Sequence, residues 1–291
     1  MWPRPSVAAM SEAADRWFLL MQRLLPKQTL TEAVGWLAAR EAGALTHFAI
    51  RRFIARYGVD MTEAAAPEPS AYSSFNAFFT RPLRDDARPL ANSSWICPVD
   101  GAVSQCGPIQ SGSLVQAKGH AYTVTELLGG DETLAQTFAD GAFATLYLSP
   151  RDYHRIHMPA DGQLRSMRHV PGELYSVNPV TARGIPGLFA RNERVVCEFE
   201  GAHGVPFIMV LVGATIVGSM ATVWHGVVNP PRPGVIRRWD YTDSPVSLRQ
   251  GDEMGRFLLG STVIMLVPGS AASSWPAWGS GRPVRMGEAF E

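Results

Sequence analysis

The run Leu259-Gly260-Ser261-Thr262 places a glycine carbonyl directly before a serine hydroxyl, an electrophile and a nucleophile joined by one peptide bond. Left alone the pair is inert. Given a base and a bent backbone, the hydroxyl attacks the preceding carbonyl and the amide becomes an ester. The same letters also read as a glycine turn opening a strand, because Val263-Ile264-Met265-Leu266-Val267 is apolar and rich in β-branched residues. A base is available in Tyr153-His154-Arg155-Ile156-His157-Met158-Pro159. Two histidines three apart resemble a helical metal pair. However, no glutamate lies between them, Pro159 closes the segment, and no other Cys or His pair has a matching spacing, so no metal is expected. Acid–base chemistry suits imidazoles that titrate near neutrality, and a hydrogen-bonded structural pair is the alternative. The third element is Asp100 in Pro98-Val99-Asp100-Gly101-Ala102-Val103, either a turn residue or a carboxylate that orients a histidine. Asp100, His157 and Ser261 together make an Asp-His-Ser set. Ser261 has no Gly-x-Ser-x-Gly context and leads into a strand rather than a helix, which disfavours a conventional hydrolase of a soluble ester or amide, the alternative reading.

The elements that must position these residues fall into two parts. Residues 1–60 read as an amino-terminal helical region. Ser11-Glu12-Ala13-Ala14 opens a first helix with Trp17, Leu20, Met21 and Leu24 on one face; a second follows Pro26 over Thr29 to about Arg40. A third sets Leu45, Phe48, Ile50, Phe53, Ile54 and Tyr57 near helical spacing, with Arg51, Arg52 and Arg56 largely opposite. Such a segment lies on an anionic membrane surface or packs on its own domain with solvated arginines. Trp2, Trp17, Phe18 and Trp36 are interfacial candidates on the first reading and core on the second. Ala64-Ala65-Ala66-Pro67-Glu68-Pro69-Ser70 is linker-like. Residues 61–291 then carry short β-rich runs, Thr145–Leu148, Val195–Phe199, Phe207–Val212, Thr215–Val223 and Thr262–Val267, between heavy glycine and proline punctuation. The expected fold is α+β, an N-terminal helical layer on a mostly antiparallel β-rich catalytic domain.

Composition narrows the field. The 291 residues are 46% apolar and 18% charged, with Lys+Arg and Asp+Glu both at 26. A chain of zero net charge lacks the basic footprint of a general nucleic-acid binder. Three cysteines without a CxxC pair and an amino terminus without a secretory apolar core fit a reduced, cytosol-facing compartment. Val205–Trp224 is about membrane-span length and uncharged, but Pro206, Gly213 and Gly218 and the β-branched content favour two buried strands.

Over roughly residues 60–270 the chain resembles the bacterial membrane-associated phosphatidylserine decarboxylases, which are pyruvoyl-dependent. The matching stretches are Phe75–Leu83, Pro98–Gly101, Tyr153–Pro159, Val170–Asn178, Leu188–Arg194, Val212–Ser219 and Gly255-Arg256-Phe257 leading into Leu259-Gly260-Ser261-Thr262. The resemblance implies that His157, oriented by Asp100, deprotonates Ser261, and that the chain cuts itself into 1–260 and 261–291. Ser261 then becomes the covalent pyruvoyl cofactor, a pyruvate unit that takes the amine of phosphatidylserine and serves as electron sink while CO2 leaves and phosphatidylethanolamine forms. It further implies His154 as the residue assisting decarboxylation or returning the proton. A homodimer, associated long and short chains, and peripheral docking on the cytoplasmic side of the cell membrane belong to the same expectation.

Overall fold

The computed structural model describes residues 7–215, 219–258 and 262–290. Three helices come first, α1 (Val7–Leu24), α2 (Lys27–Ala38) and α3 (Ala44–Tyr57). Gly58 ends α3 in the left-handed conformation, φ 66°, and its N–H is donated to the Ile54 carbonyl, the αL stop that glycine makes at least cost. A short helix, α4 (Phe75–Phe79), starts where the Ser74 side chain accepts the Ala77 N–H. The rings of Phe75, Phe78 and Phe79 on α4 meet Phe53 of α3 edge-on, so α3 and α4 share one apolar core with buried Ile50. The alanine- and proline-rich segment expected to be a linker is a packed corner. Ala64 is buried and bridges to Leu83, and the Tyr72 hydroxyl donates to the Ala66 carbonyl.

The strands follow as β1 (Gly101–Pro108), β2 (Ser113–Val115), β3 (Ala121–Thr123), β4 (Ala142–Tyr147), β5 (Arg155–His157), β6 (Gly162–Val170), β7 (Arg194–Glu200) and β8 (Pro206–Val212). Then come β9 (Met220–Thr222), β10 (Gly226–Val227), β11 (Arg237–Asp240), β12 (Val246–Leu248), β13 (Glu253–Phe257), β14 (Thr262–Val267) and β15 (Pro283–Val284). The large antiparallel sheet has the order β11-β6-β7-β8-β14-β4-β1-β15, with β12 also on β6; a second sheet has the order β10-β9-β13-β5.

The large sheet is covered on both faces, which is why its central strands read as unbroken apolar runs. Along β14, Ile264 and Leu266 join the core under the helices, with Phe78 and Ile50. Val263, Met265 and Val267 turn the other way, into a core shared with Ile156, Met220, Met254 and Phe257 of the small sheet. The protein is therefore α+β in three layers: helices, large sheet, small sheet. The 205–224 run accordingly splits, as Phe207–Val212 falls within β8 of the large sheet. The expected second strand, Thr215–Val223, is shorter: Thr215 is in a turn, residues 216–218 lie outside the described residues, and only Met220–Thr222 is strand, in the small sheet. Gly213 marks the point where the chain leaves one sheet for the other.

Candidate active site

The segment bearing Gly260 and Ser261 connects the two sheets. Residues 259–261 lie outside the described residues, but both flanks are held. On one side the Leu258 N–H is donated to the Ser219 carbonyl and the Phe257 N–H to the His154 carbonyl. On the other, Thr262 opens β14 in register with Tyr147 of β4 and Val212 of β8. Four residues, 258–261, thus carry the chain from the end of β13 in the small sheet to the most central part of the large one.

The two histidines sit on and just before β5, not on a helix. In extended backbone, residues three apart point to opposite faces, so His154 and His157 occupy different environments. His154 is fully buried, its ring 4.0 Å from that of Phe79 by centroids. Its Nδ1 lies 2.8 Å from the Asp152 carbonyl, to which it donates, leaving Nε2 as the lone-pair nitrogen. Burial lowers its pKa to about 3, opposed by that hydrogen bond, and the imidazole is neutral. Among the described residues Nε2 has no partner, nor does the buried Thr262 Oγ1. Thr262 follows Ser261 in the chain and His154 is hydrogen-bonded through its carbonyl to Phe257, so these two unmatched polar atoms suit a small carbonyl group at position 261, and the residues present fit a pyruvoyl group.

His157 is clamped at both nitrogens, with Nδ1 2.7 Å from the Gly251 carbonyl and Nε2 3.0 Å from the Tyr153 hydroxyl. Nδ1 donates to the carbonyl, so Nε2 is the basic nitrogen and accepts from Tyr153. Burial pushes its pKa down, while the Gly251 hydrogen bond and then the charges of Glu253 and Asp100 act in the opposite direction. The orienting contact expected from Asp100 is thus made by a backbone carbonyl. The Asp100 carboxylate instead faces Arg88, through Nε at 2.9 Å and through Nη2, and accepts the Met286 N–H at 2.9 Å. The buried guanidinium is the stronger claimant on that carboxylate, because an unpaired buried cation is costly. Arg88 also binds Glu63, and Arg285 meets the other Glu63 oxygen. Asp100 reaches His157 only through space, across a backbone bridge in which the His157 N–H is donated to the Pro98 carbonyl.

Local backbone demands fix this arrangement. A Cβ on Gly101 would stand 2.2 Å from the Tyr147 carbonyl, so only glycine lets the Asp100 turn lie against β4. Arg155 ties β5 outward, its Nε to the Thr80 carbonyl and its Nη1 to Glu253 at 2.8 Å, locking α4 and β13 around His154. Sequence reasoning did not single out Tyr153, Arg88, Gly251, Phe79 or Asn76. Tyr153, Phe79 and Asn76 lie inside quoted motifs, but Arg88 and Gly251 carry no local signal.

A buried and a half-buried histidine, both of fixed tautomer, at an inter-sheet crossing, with an ion-paired aspartate nearby, are the equipment of an acid–base enzyme. The phosphatidylserine decarboxylase family profile matches residues 75–290, and a second profile, PSD, matches residues 17–58. Three similar proteins are phosphatidylserine decarboxylase proenzymes. That of Variovorax paradoxus is 63% identical, spanning 95% of this chain and 98% of that protein, and that of Acidovorax ebreus is 65% identical with the same coverage. That of an Azoarcus species is 66% identical over 94% and 95%. The chain belongs to the phosphatidylserine decarboxylase family. Among the described residues no helix is long and apolar enough to cross a membrane.

Proposed function

We propose that the chain is a proenzyme that cuts itself between Gly260 and Ser261, and that the matured protein decarboxylates phosphatidylserine to phosphatidylethanolamine. The observation that carries the reading is the pair of held flanks, Leu258 on Ser219 and Thr262 between Tyr147 and Val212, together with a His154 Nε2 that has no partner among the described residues. A bond strung between two sheets under such restraint is the setting in which an amide is bent toward its neighbouring hydroxyl.

In maturation, the Tyr153 hydroxyl gives up its hydrogen bond to His157 Nε2, which takes the Ser261 hydroxyl proton, the Gly251 carbonyl holding the tautomer and Asp100 supporting the imidazolium by its charge. The Ser261 oxygen bonds to the Gly260 carbonyl carbon as the C–N bond breaks, and the nitrogen takes the proton. Loss of the Ser261 α-proton expels the Gly260 carboxylate, and hydrolysis with release of ammonia leaves a pyruvoyl group at position 261. That group supplies an electron sink for decarboxylation. His154, desolvated and held by Asp152, accepts a proton only when charge develops beside it and returns it readily, which suits protonation of the carbon that loses CO2. The Phe79 ring packs against that imidazole, 4.0 Å between ring centroids. The short chain stays bound because β14 is hydrogen-bonded on both sides and fully buried.

Docking to a bilayer through residues 1–60 is supported by the exposed faces of the three helices. Trp17, Leu20 and Leu24 on α1, Trp36 and Leu37 on α2, and Leu45 and Phe48 on α3 are all exposed. Exposed arginines accompany them: Arg16, Arg23, Arg40, Arg51, Arg52 and Arg56. Phe18 is only half-buried, and Trp2 lies outside the described residues. Cytoplasmic-side docking and a homodimer rest on the family resemblance alone.

Intact mass and CO2 release from phosphatidylserine vesicles test the reading. A blocked fragment of about 3 kDa is expected, from 31 residues. Ser261→Ala abolishes both cleavage and turnover, whereas His154→Ala leaves cleavage and lowers turnover by about 10²-fold or more. A single full-length species with wild-type turnover would sink the maturation scheme.

A further inference from the structure

Between α2 and the segment ahead of the reactive bond lies a cavity of about 300 Å³. Glu32 and Trp36 of α2 form one wall; Asn76 of α4, Ser219, Arg232 and Leu258 form the others. Two features single it out. Ser219 and Leu258 are the described residues adjoining 216–218 and 259–261, and they are hydrogen-bonded to each other, so the cavity abuts the chemistry. Trp36 is 59% exposed on the face proposed to meet lipid, its ring under the Arg40 guanidinium at 3.9 Å.

The wall chemistry is zwitterionic. Arg232 is held at its base by Glu193, 2.9 Å from Nε, with Glu32 3.7 Å from Nη1. Glu193 is in turn held by His169 at 2.8 Å, so the guanidinium is pre-positioned from the core. Opposite it, the buried Asn76 Oδ1 has no partner among the described residues. One cation, one carboxylate and one uncommitted amide acceptor match a headgroup carrying both an anion and an ammonium. The volume is at the lower limit of small-molecule sites, about 300–1,000 Å³, enough for a headgroup and not for acyl chains.

We infer that this cavity is the headgroup site, entered from the bilayer past Trp36, with Arg232 binding the phosphate or carboxylate and Asn76 and Glu32 receiving the ammonium next to the reactive position. The inference rests on the proposed activity and sharpens it: headgroup selection is shared between the helical layer, through Glu32 and Asn76, and the connection between β10 and β11 that carries Arg232. It also gives α2 a role in catalysis beyond adhesion.

The test uses the matured enzyme and a short-chain phosphatidylserine dispersed as monomers, so that membrane binding does not enter. Arg232→Gln and Asn76→Leu are each expected to raise KM about tenfold or more with kcat changed less than threefold, and Arg232→Lys to recover part of the loss. In parallel, glycerophosphoserine is titrated against tryptophan fluorescence. A quench is expected that disappears in Trp36→Phe and shifts to about tenfold higher concentration in Asn76→Leu. KM values for Asn76→Leu and Glu32→Gln within twofold of the parent, in proteins that still cleave themselves, would overturn the assignment, as would a quench indifferent to Trp36. Failure of the proposed activity has a different signature, no CO2 and no 3 kDa fragment from the unmutated chain, while the fluorescence arm still reports on the cavity.

Discussion

Replacing Arg88 by methionine, in a Ser261→Ala background that keeps the chain in one piece, leaves Asp100 without its principal partner. Arg88 and Asp100 side chains are 6% and 12% exposed, so neither group is rescued by bulk water. Removing one member of a buried pair costs about 3–5 kcal/mol. The lower end applies, because the Met286 N–H still binds the Asp100 carboxylate. Glu63 keeps Arg285 and so does not add a second orphan. With a urea slope of about 3 kcal/mol/M for a chain of this size, the unfolding midpoint falls by about 1 M. The second arm adds Asp100→Asn, which keeps an acceptor for Met286 and removes the unpaired charge. At least half of the loss is expected back, because a neutral amide is far cheaper to bury than an unpaired carboxylate. Urea unfolding followed by fluorescence and far-UV circular dichroism reads both arms. An Arg88→Met midpoint within about 0.2 M of its parent, or no recovery on adding Asp100→Asn, would refute the view that Arg88 rather than His157 is what Asp100 is built to hold.

Two other predictions concern the histidines and the helical layer. His154 is depressed from an ordinary 6.5 to about 3 and His157 is depressed too, so the unfolded chain binds more protons than the folded one below pH 6.5. Stability is then full above that pH and falls with acidification; for His154 the loss continues toward pH 3 at about 1.4 kcal/mol per pH unit, and His157 adds to it in the same direction. His154→Gln should flatten this limb, and an unchanged acid limb would contradict a neutral, desolvated His154. For the membrane face, deleting residues 1–60 would be a poor test, because Ile50 and Phe53 belong to the core. Arg51, Arg52 and Arg56 changed together to glutamine should instead weaken flotation with anionic vesicles about 10²-fold, at about 1 kcal/mol per basic residue, leaving the thermal midpoint within a degree or two; undiminished flotation would remove α3 from the docking surface.

The sequence alone settled whatever depends on local pattern or on a motif. Helical periodicity placed three amino-terminal helices, and the runs in β4, β7, β8 and β14 announced strands because those residues are buried on both sides. It marked the Gly260-Ser261 pair and both histidines. Its errors came where a local pattern met a distant partner. Alanine and proline between 64 and 70 spelled a tether, yet contacts to Leu83 and Tyr72 made it a packed corner. Thr215–Val223 spelled one strand, yet the chain changes sheets within it. Asp100 and His157 suggested a hydrogen-bonded pair, but no pattern could reveal that Arg88, twelve positions from Asp100, and the Gly251 carbonyl, ninety-four from His157, would claim them. Periodicity reports which side of an element is buried, because burial repeats with the element. Which group faces which across the interior depends on how the layers stack, and only the tertiary structure decided that.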